Sequence, residues 1–266
     1  MSAVAAMFRA DLRTALSYRL QMMFAVAGVL LSVVPLYFVA GALQPVMAES
    51  IRDQGHEYFG FLIMGMVAFL FVSGAVTALP SAVGSAIRTG TLEAMFSTPA
   101  SLASLLVGFV VYPFSWIGVR ASVLVVGAWT LGADIAWSHL PTAAAILALI
   151  ILSHVPFGLL AAAAILAFRT AGPLGTIVLT LSGLLGGVYY PTHVIPSWIE
   201  SLSAALPLTY GLRALRRVLL DGASLGAVTS DLLICSAYGV ILFGVATLVF
   251  TTSLRYARRS GTLAQY

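Results

Sequence analysis

Residues 189–217 read YYPTHVIPSWIESLSAALPLTYGLRALRR. The stretch is too apolar for a solvated loop. Pro191, Pro196 and Pro207, with Glu200 and Arg213, Arg216 and Arg217, keep it from being a helix that crosses a membrane. It divides into two short helices. Ser197 and Glu200 have the spacing of a capping box, just after Pro196, and Pro207 ends the helix they begin. Trp198, Leu202 and Leu206 share one face of it. Thr209 is placed to cap a second helix, with Gly222 past its end. Leu208, Leu212, Leu215 and Leu219 make its apolar stripe; Arg213, Arg216 and Arg217 make its polar side. This pattern predicts a re-entrant hairpin that dips into one leaflet, with the three arginines snorkelling to the headgroups. The alternative is a plain interfacial loop.

The rest of the chain supplies the membrane. Of 266 residues, 61% are hydrophobic and 8% charged, against about 25% charged in soluble domains. So few charges cannot cover a surface facing water. The reading is one all-α transmembrane domain over 1–266, with six spans at 20–43, 58–85, 102–131, 142–168, 173–190 and 232–254. The fifth is the shortest. The re-entrant helices fill 191–222 between spans five and six. Every span must be helical, because lipid offers the backbone no hydrogen-bond partner.

All 13 basic residues are arginine. Without lysine there is no P-loop ATPase and no Schiff-base chemistry. Cys235 stands alone, and His56, His139, His154 and His193 are scattered, so no metal motif is legible. No cofactor is expected on this chain. The net charge of +4 speaks to topology and anionic lipid rather than to nucleic acid. The first apolar run starts near Leu20, after Arg9, Asp11, Arg13 and Arg19, which argues against a cleaved signal peptide.

With six spans both ends lie on one side. Putting them in the cytoplasm leaves Arg9, Arg13, Arg19, Arg88, Arg169, Arg255, Arg258 and Arg259 inside, against Arg52, Arg213, Arg216 and Arg217 outside. That distribution favours cytoplasmic termini. Residues 7–19 form an amphipathic helix with Phe8 and Leu12 on one arc and Arg9 and Arg13 on the other, suited to the headgroup layer. The segment 86–101, AIRTGTLEAMFSTPAS, joins spans two and three on the cytoplasmic side. A short helix over 91–97 would expose Leu92, Met95 and Phe96, an apolar knob suited to docking; packing on the membrane surface is the other reading.

Inside the spans the sequence places only Arg120 and His154 at depth, and no carboxylate. Arg120 would cost a few kcal/mol if it faced lipid, so it faces the bundle, a partner or water. Its two readings are a pathway contact and a structural hydrogen-bond post. His154 reads as a core histidine. Ser153 and His154, adjacent in sequence, are not expected to face each other, which argues against an intramembrane hydrolase. A secondary transporter or channel would need a buried ion site, and no duplicated halves are visible. A scaffold without transport is the remaining rival.

Taken together, three segments and the span order resemble the permease subunits of ABC exporters, the ABC-2 type. The segments are RADLRTALSYR (9–19), RTGTLEAMFSTP (88–99) and GGVYYPTHVIPSWIESLSAALPLTYGLRALR (186–216). The chain departs from the family's pattern at Ala86 and Ile87, where charged residues are common. The resemblance implies an inner (plasma) membrane protein whose Arg9, Leu12, Arg13 and Arg19 belong to an interface helix. It assigns Arg88, Gly90, Thr91, Leu92, Glu93, Met95 and Phe96 to an ATPase-coupling loop, and Tyr189, Tyr190, Pro191, Pro196, Trp198, Pro207, Tyr210 and Arg213 to a gate made by the re-entrant helices. It also implies a second permease chain, as a homo- or heterodimer, and two separate ATPase subunits that bind ATP and Mg. The expected substrate is a drug, lipid or natural product, with a lipid-linked glycan as the alternative.

Overall fold

The computed structural model describes residues 3–91, 94, 101–168 and 173–259. Its elements are helices: α1 (Ala3–Ser17), α2 (Arg19–Met47), α3 (Tyr58–Arg88), α4 (Leu102–Thr130), α5 (Leu140–Phe168), α6 (Leu174–Leu185), α7 (Ser197–Ser203), α8 (Pro207–Leu220) and α9 (Leu225–Arg259). Short 3-10 turns, Trp137–His139 and Thr192–Val194, precede α5 and α7. No β-strand occurs among the described residues.

Five helices are long and apolar enough to cross a membrane: α2, α3, α4, α5 with the turn before it, and α9. Each has at least 29 residues, or about 43 Å at 1.5 Å per residue, more than a hydrocarbon core requires. Their low charge and helical backbone suit them to lipid. The prolines inside them (Pro35, Pro45, Pro80, Pro113 and Pro156) are tolerated without breaking the helices.

The segment 173–190 differs from its expected form. Helix α6 has 12 residues, about 18 Å, and stops at Leu185. Gly186 and Gly187 follow, and Gly187 has φ +80°, a left-handed backbone that a Cβ would oppose. Residues 186–190 continue as bends rather than helix. The N-terminal helix also departs slightly: it ends at Ser17, and Tyr18 breaks it from α2.

Helix α3 is the central post. In its most apolar window 72% of residues are buried, against 11% in the corresponding windows of α2, α4 and α9. Those outer helices present Phe24, Leu31, Phe38, Val240, Ile241 and Leu248 outward, as lipid-facing helices do. Two cores stack along α3. One gathers Phe61, Ile63, Met64 and Val72 of α3 with Leu124 of α4, Ile146 and Ile150 of α5, and Leu208, Leu212 and Leu215 of α8. The other gathers Leu79 and Val83 of α3 with Phe109 of α4, Leu159 and Leu166 of α5, and Phe250 and Leu254 of α9; Met7 of α1 packs against it. The bundle thus has one end built by α7 and α8, and another by α1 with the C-terminal end of α3 and the start of α4.

Candidate functional site

The opening stretch of sequence does form two helices, and both differ in detail from expectation. Helix α7 starts at Ser197 with Pro196 at its N-cap and no side-chain cap bond, so the capping box is not made. Pro207 does not simply end α7; it opens α8, with its missing N–H at a position that needs none. Thr209 lies inside α8, buried, where its hydroxyl donates to the Ser203 carbonyl at 2.8 Å and ties α8 back to α7. Tyr210 donates to the Ala204 carbonyl at 2.9 Å, a second tie. Trp198 and Leu202 are exposed, 69% and 53%, so α7 turns its apolar face outward.

The apolar stripe of α8 is as read: Leu208, Leu212, Leu215 and Leu219 are all buried. The arginines are not. Arg216 does not snorkel; it is 1% exposed. Its Nε donates to the Phe61 carbonyl at 3.1 Å, and Nη2 to the Phe61 and Val188 carbonyls at 2.9 Å each. Nη1 donates to the Gly187 carbonyl at 2.7 Å and to Gln54 Oε1 at 3.4 Å. A guanidinium has five N–H donors, and each finds an acceptor. Arg216 therefore satisfies the carbonyls freed where α6 breaks, and joins that break to the start of α3. Gly65 makes the space: a Cβ there would lie 2.2 Å from the Val188 carbonyl oxygen and 2.7 Å from Arg216 Nη2.

Arg213 and Arg217 also have protein partners. Arg213 pairs bidentately with Asp231 of α9, Nε donating to Oδ2 at 3.1 Å and Nη2 to Oδ1. Asp231 is 3% exposed. This buried carboxylate sits one residue before the expected start of the last span. It is held by a cation and is not free to relay ions. Arg217 donates to the Ala227 carbonyl at 3.0 Å.

The other gate residues surround this knot. Tyr189 is exposed, while its carbonyl accepts from the Tyr58 hydroxyl at 2.8 Å. Tyr190 donates to the Leu184 carbonyl, and Pro191 is buried. Pro196 is exposed beside α7, and Pro207 is buried.

At the opposite end, α1 lies along α4, with Met7 packed where Gly108 leaves room. Arg9, Arg13 and Arg19 are exposed and Leu12 is half-buried, the amphipathic arrangement expected of an interface helix. Arg88 closes α3, and Gly90 follows with φ +66°. Arg88, Gly90 and Thr91 are exposed. Leu92, Glu93, Met95 and Phe96 lie outside the described residues.

Arg120 and His154 are not brought together into one site. Arg120 of α4 is half-buried, and its buried Nε has no partner among the described residues. His154 of α5 is fully buried; its Nδ1 lies 2.8 Å from the Ile150 carbonyl and 3.0 Å from Ser153 Oγ. Ser153 and His154 do meet, contrary to expectation, because both turn back toward the Ile150 carbonyl. Nδ1 bonded to that carbonyl carries the proton and cannot act as a base toward the serine. His154 Nε2 is unpartnered among the described residues.

Two cavities are lined by these helices. One, about 400 Å³, is bounded by Met64, Val67 and Phe71 of α3, Ala121 and Val125 of α4, and Leu215 of α8. The other, about 700 Å³, lies among α1, α3 and α4 at the end of the α3–α4 connection. No group of three or more metal-ligating side chains occurs among the described residues.

Five helices are long and apolar enough to cross a membrane, with an amphipathic helix at one end and a carbonyl-capping arginine at the other. The family described as ABC-2 type transporter matches residues 3–220, and the chain belongs to that family. Over 192 residues it is 23% identical to the linearmycin resistance permease protein LnrN of Bacillus subtilis (strain 168), covering 72% of this chain and 48% of that protein. The chain thus spans about half the length of that relative. Over 200 residues it is 25% identical to nodulation protein J of Rhizobium leguminosarum bv. viciae, covering 74% of this chain and 75% of that one. Membership in that family makes the chain a membrane transport protein.

Proposed function

We propose that this chain is the transmembrane subunit of an ATP-driven exporter. Two such chains pair, and two separate ATPase subunits bind beneath them and hydrolyse ATP with Mg. In this reading α6 and residues 186–190 make the fifth of six crossings. Both termini are cytoplasmic. Residues 191–222 dip back into the outer leaflet as a gate, and the loop 86–101 receives the ATPase through Arg88, Gly90, Thr91, Leu92, Glu93, Met95 and Phe96.

The observation that carries the reading is the extent of the family match, residues 3–220. It takes in the interface helix, the α3–α4 connection and the two short helices together. The name of the Bacillus relative, a resistance permease, supports outward movement of a drug, lipid or natural product. Arg120, whose buried Nε half-way along α4 has no partner among the described residues, is assigned to contact substrate or the carbonyls of the second chain. His154 is assigned to packing.

The test is affinity capture of the tagged chain from the membrane of its native host. The reading expects a complex of two permease and two ATPase chains whose hydrolysis rises with added substrate. A permease that never captures an ATPase would refute it.

A further inference from the structure

The cavity among α1, α3 and α4 has two chemically distinct walls. Asp11 is the only charged residue among the described residues that line it. Thr14 and Thr77 also line it, and each has spent its hydroxyl proton on its own helix: Thr14 donates to the Ala10 carbonyl at 3.0 Å and Thr77 to the Ser73 carbonyl at 2.7 Å. What they offer a ligand is oxygen lone pairs. Phe109, Tyr112 and Trp116 of α4 also line it, and aromatic π faces attract cations. Both walls favour positive charge. Among the described residues of the lining there is no arginine to receive an anion.

The shape adds a second condition. The lining runs along α3 from Thr89 to Gly74, fifteen residues, or about 22 Å at 1.5 Å per residue. Asp11 is exposed, and partial desolvation raises its carboxyl from the ordinary value. The deeper lining, Gly74, Trp116 and Ile117, is apolar. A volume of about 700 Å³ is ample for one organic molecule. We propose that this cavity binds a cationic amphiphile, its positive head at Asp11 and its apolar body against Trp116. Its role as the place where cargo is loaded rests on the exporter reading; the binding itself does not.

The experiment uses the protein alone in phosphatidylcholine vesicles. Binding of tetraphenylphosphonium and of its near-isosteric anion tetraphenylborate is measured against protein-free vesicles. A variant that keeps only Trp116, with Trp129, Trp137 and Trp198 changed to Phe, reports location through emission. The expected result is saturable binding of the cation and not of the anion, with a change in Trp116 emission. Asp11→Asn should weaken it about three- to tenfold, the range of a partly solvated charge contact. Asp11 is exposed, so its substitution spares the fold. No saturable binding, equal binding of the two ions, or an affinity unchanged by Asp11→Asn would overturn the proposal. Because no ATPase takes part, any of these results leaves the exporter reading intact. Equally, failure to capture an ATPase leaves the binding result standing.

Discussion

The Arg216 guanidinium lies 3.3 Å from the centroid of the Phe61 ring while donating twice to the Phe61 carbonyl, at 3.1 and 2.9 Å. One residue of α3 therefore holds a buried charge through both its ring and its backbone. Arg216's hydrogen bonds go to three carbonyls and the Gln54 amide, with no carboxylate among the described residues accepting from it. The start of α3, the break after α6 and the middle of α8 are fixed to one another by a single side chain.

Replacing Arg216 should therefore be costly whatever the transport cycle does. Arg216→Leu leaves the Phe61, Gly187 and Val188 carbonyls short of a donor. The loss is expected to be about 3 kcal/mol or more. Arg216→Lys should not rescue it, since an ammonium cannot reproduce the planar fork. Thermal melting of the purified protein in detergent checks this; a lysine variant as stable as the parent would contradict the account.

Gly65→Ala tests the same knot from the other side. Its methyl would fall 2.2 Å from the Val188 carbonyl oxygen, so backbone must shift. Destabilisation of about 1–3 kcal/mol is expected. A methyl group on Gly28 would meet nothing within 4 Å, and Gly28→Ala, mid-helix in α2, should be neutral or slightly stabilising. The difference in melting temperature between the two alanine variants is the readout.

The Arg213–Asp231 pair joins α8 to α9. Arg213 is 41% exposed at its side chain and Asp231 only 4%, so the pair is partly screened. A double-mutant cycle with Arg213→Met and Asp231→Leu should give a coupling of about 1 kcal/mol. Asp231→Leu alone should be tolerated better than Arg213→Met alone, because the exposed arginine can rehydrate and the buried carboxylate cannot. Equal costs for the two single variants would show that the carboxylate is not desolvated.

Much of this arrangement was legible in the sequence. The four leucines of α8 and the break between its two short helices follow from spacing and prolines alone. The burial of Arg216 was not legible there. Its position groups it with Arg213 and Arg217 on the polar side of the helix, where snorkelling is expected, whereas it is 1% exposed. Asp231 was obscured by where the last span was taken to start: α9 begins at Leu225, and the extra turns bring the carboxylate inside. The free carbonyls that demand Arg216 arise from the turn at Gly187 and from α3's approach at Gly65. Both are tertiary facts with no local pattern. The contact of Ser153 with His154 likewise depends on rotamers that converge on the Ile150 carbonyl.

Leu92→Asp and Phe96→Asp address the coupling loop. Each should leave the protein in the membrane at normal abundance and reduce capture of the ATPase at least tenfold, since a carboxylate in an apolar contact loses more than about 1.4 kcal/mol. Co-purification at parental levels by both variants would show that docking lies elsewhere.

The most direct measurement is transport into sealed vesicles containing the purified chain, with and without its ATPase, in the presence of ATP. Accumulation of substrate against its gradient only when both proteins and ATP are present is the predicted result. Uphill movement by this chain alone would contradict the account.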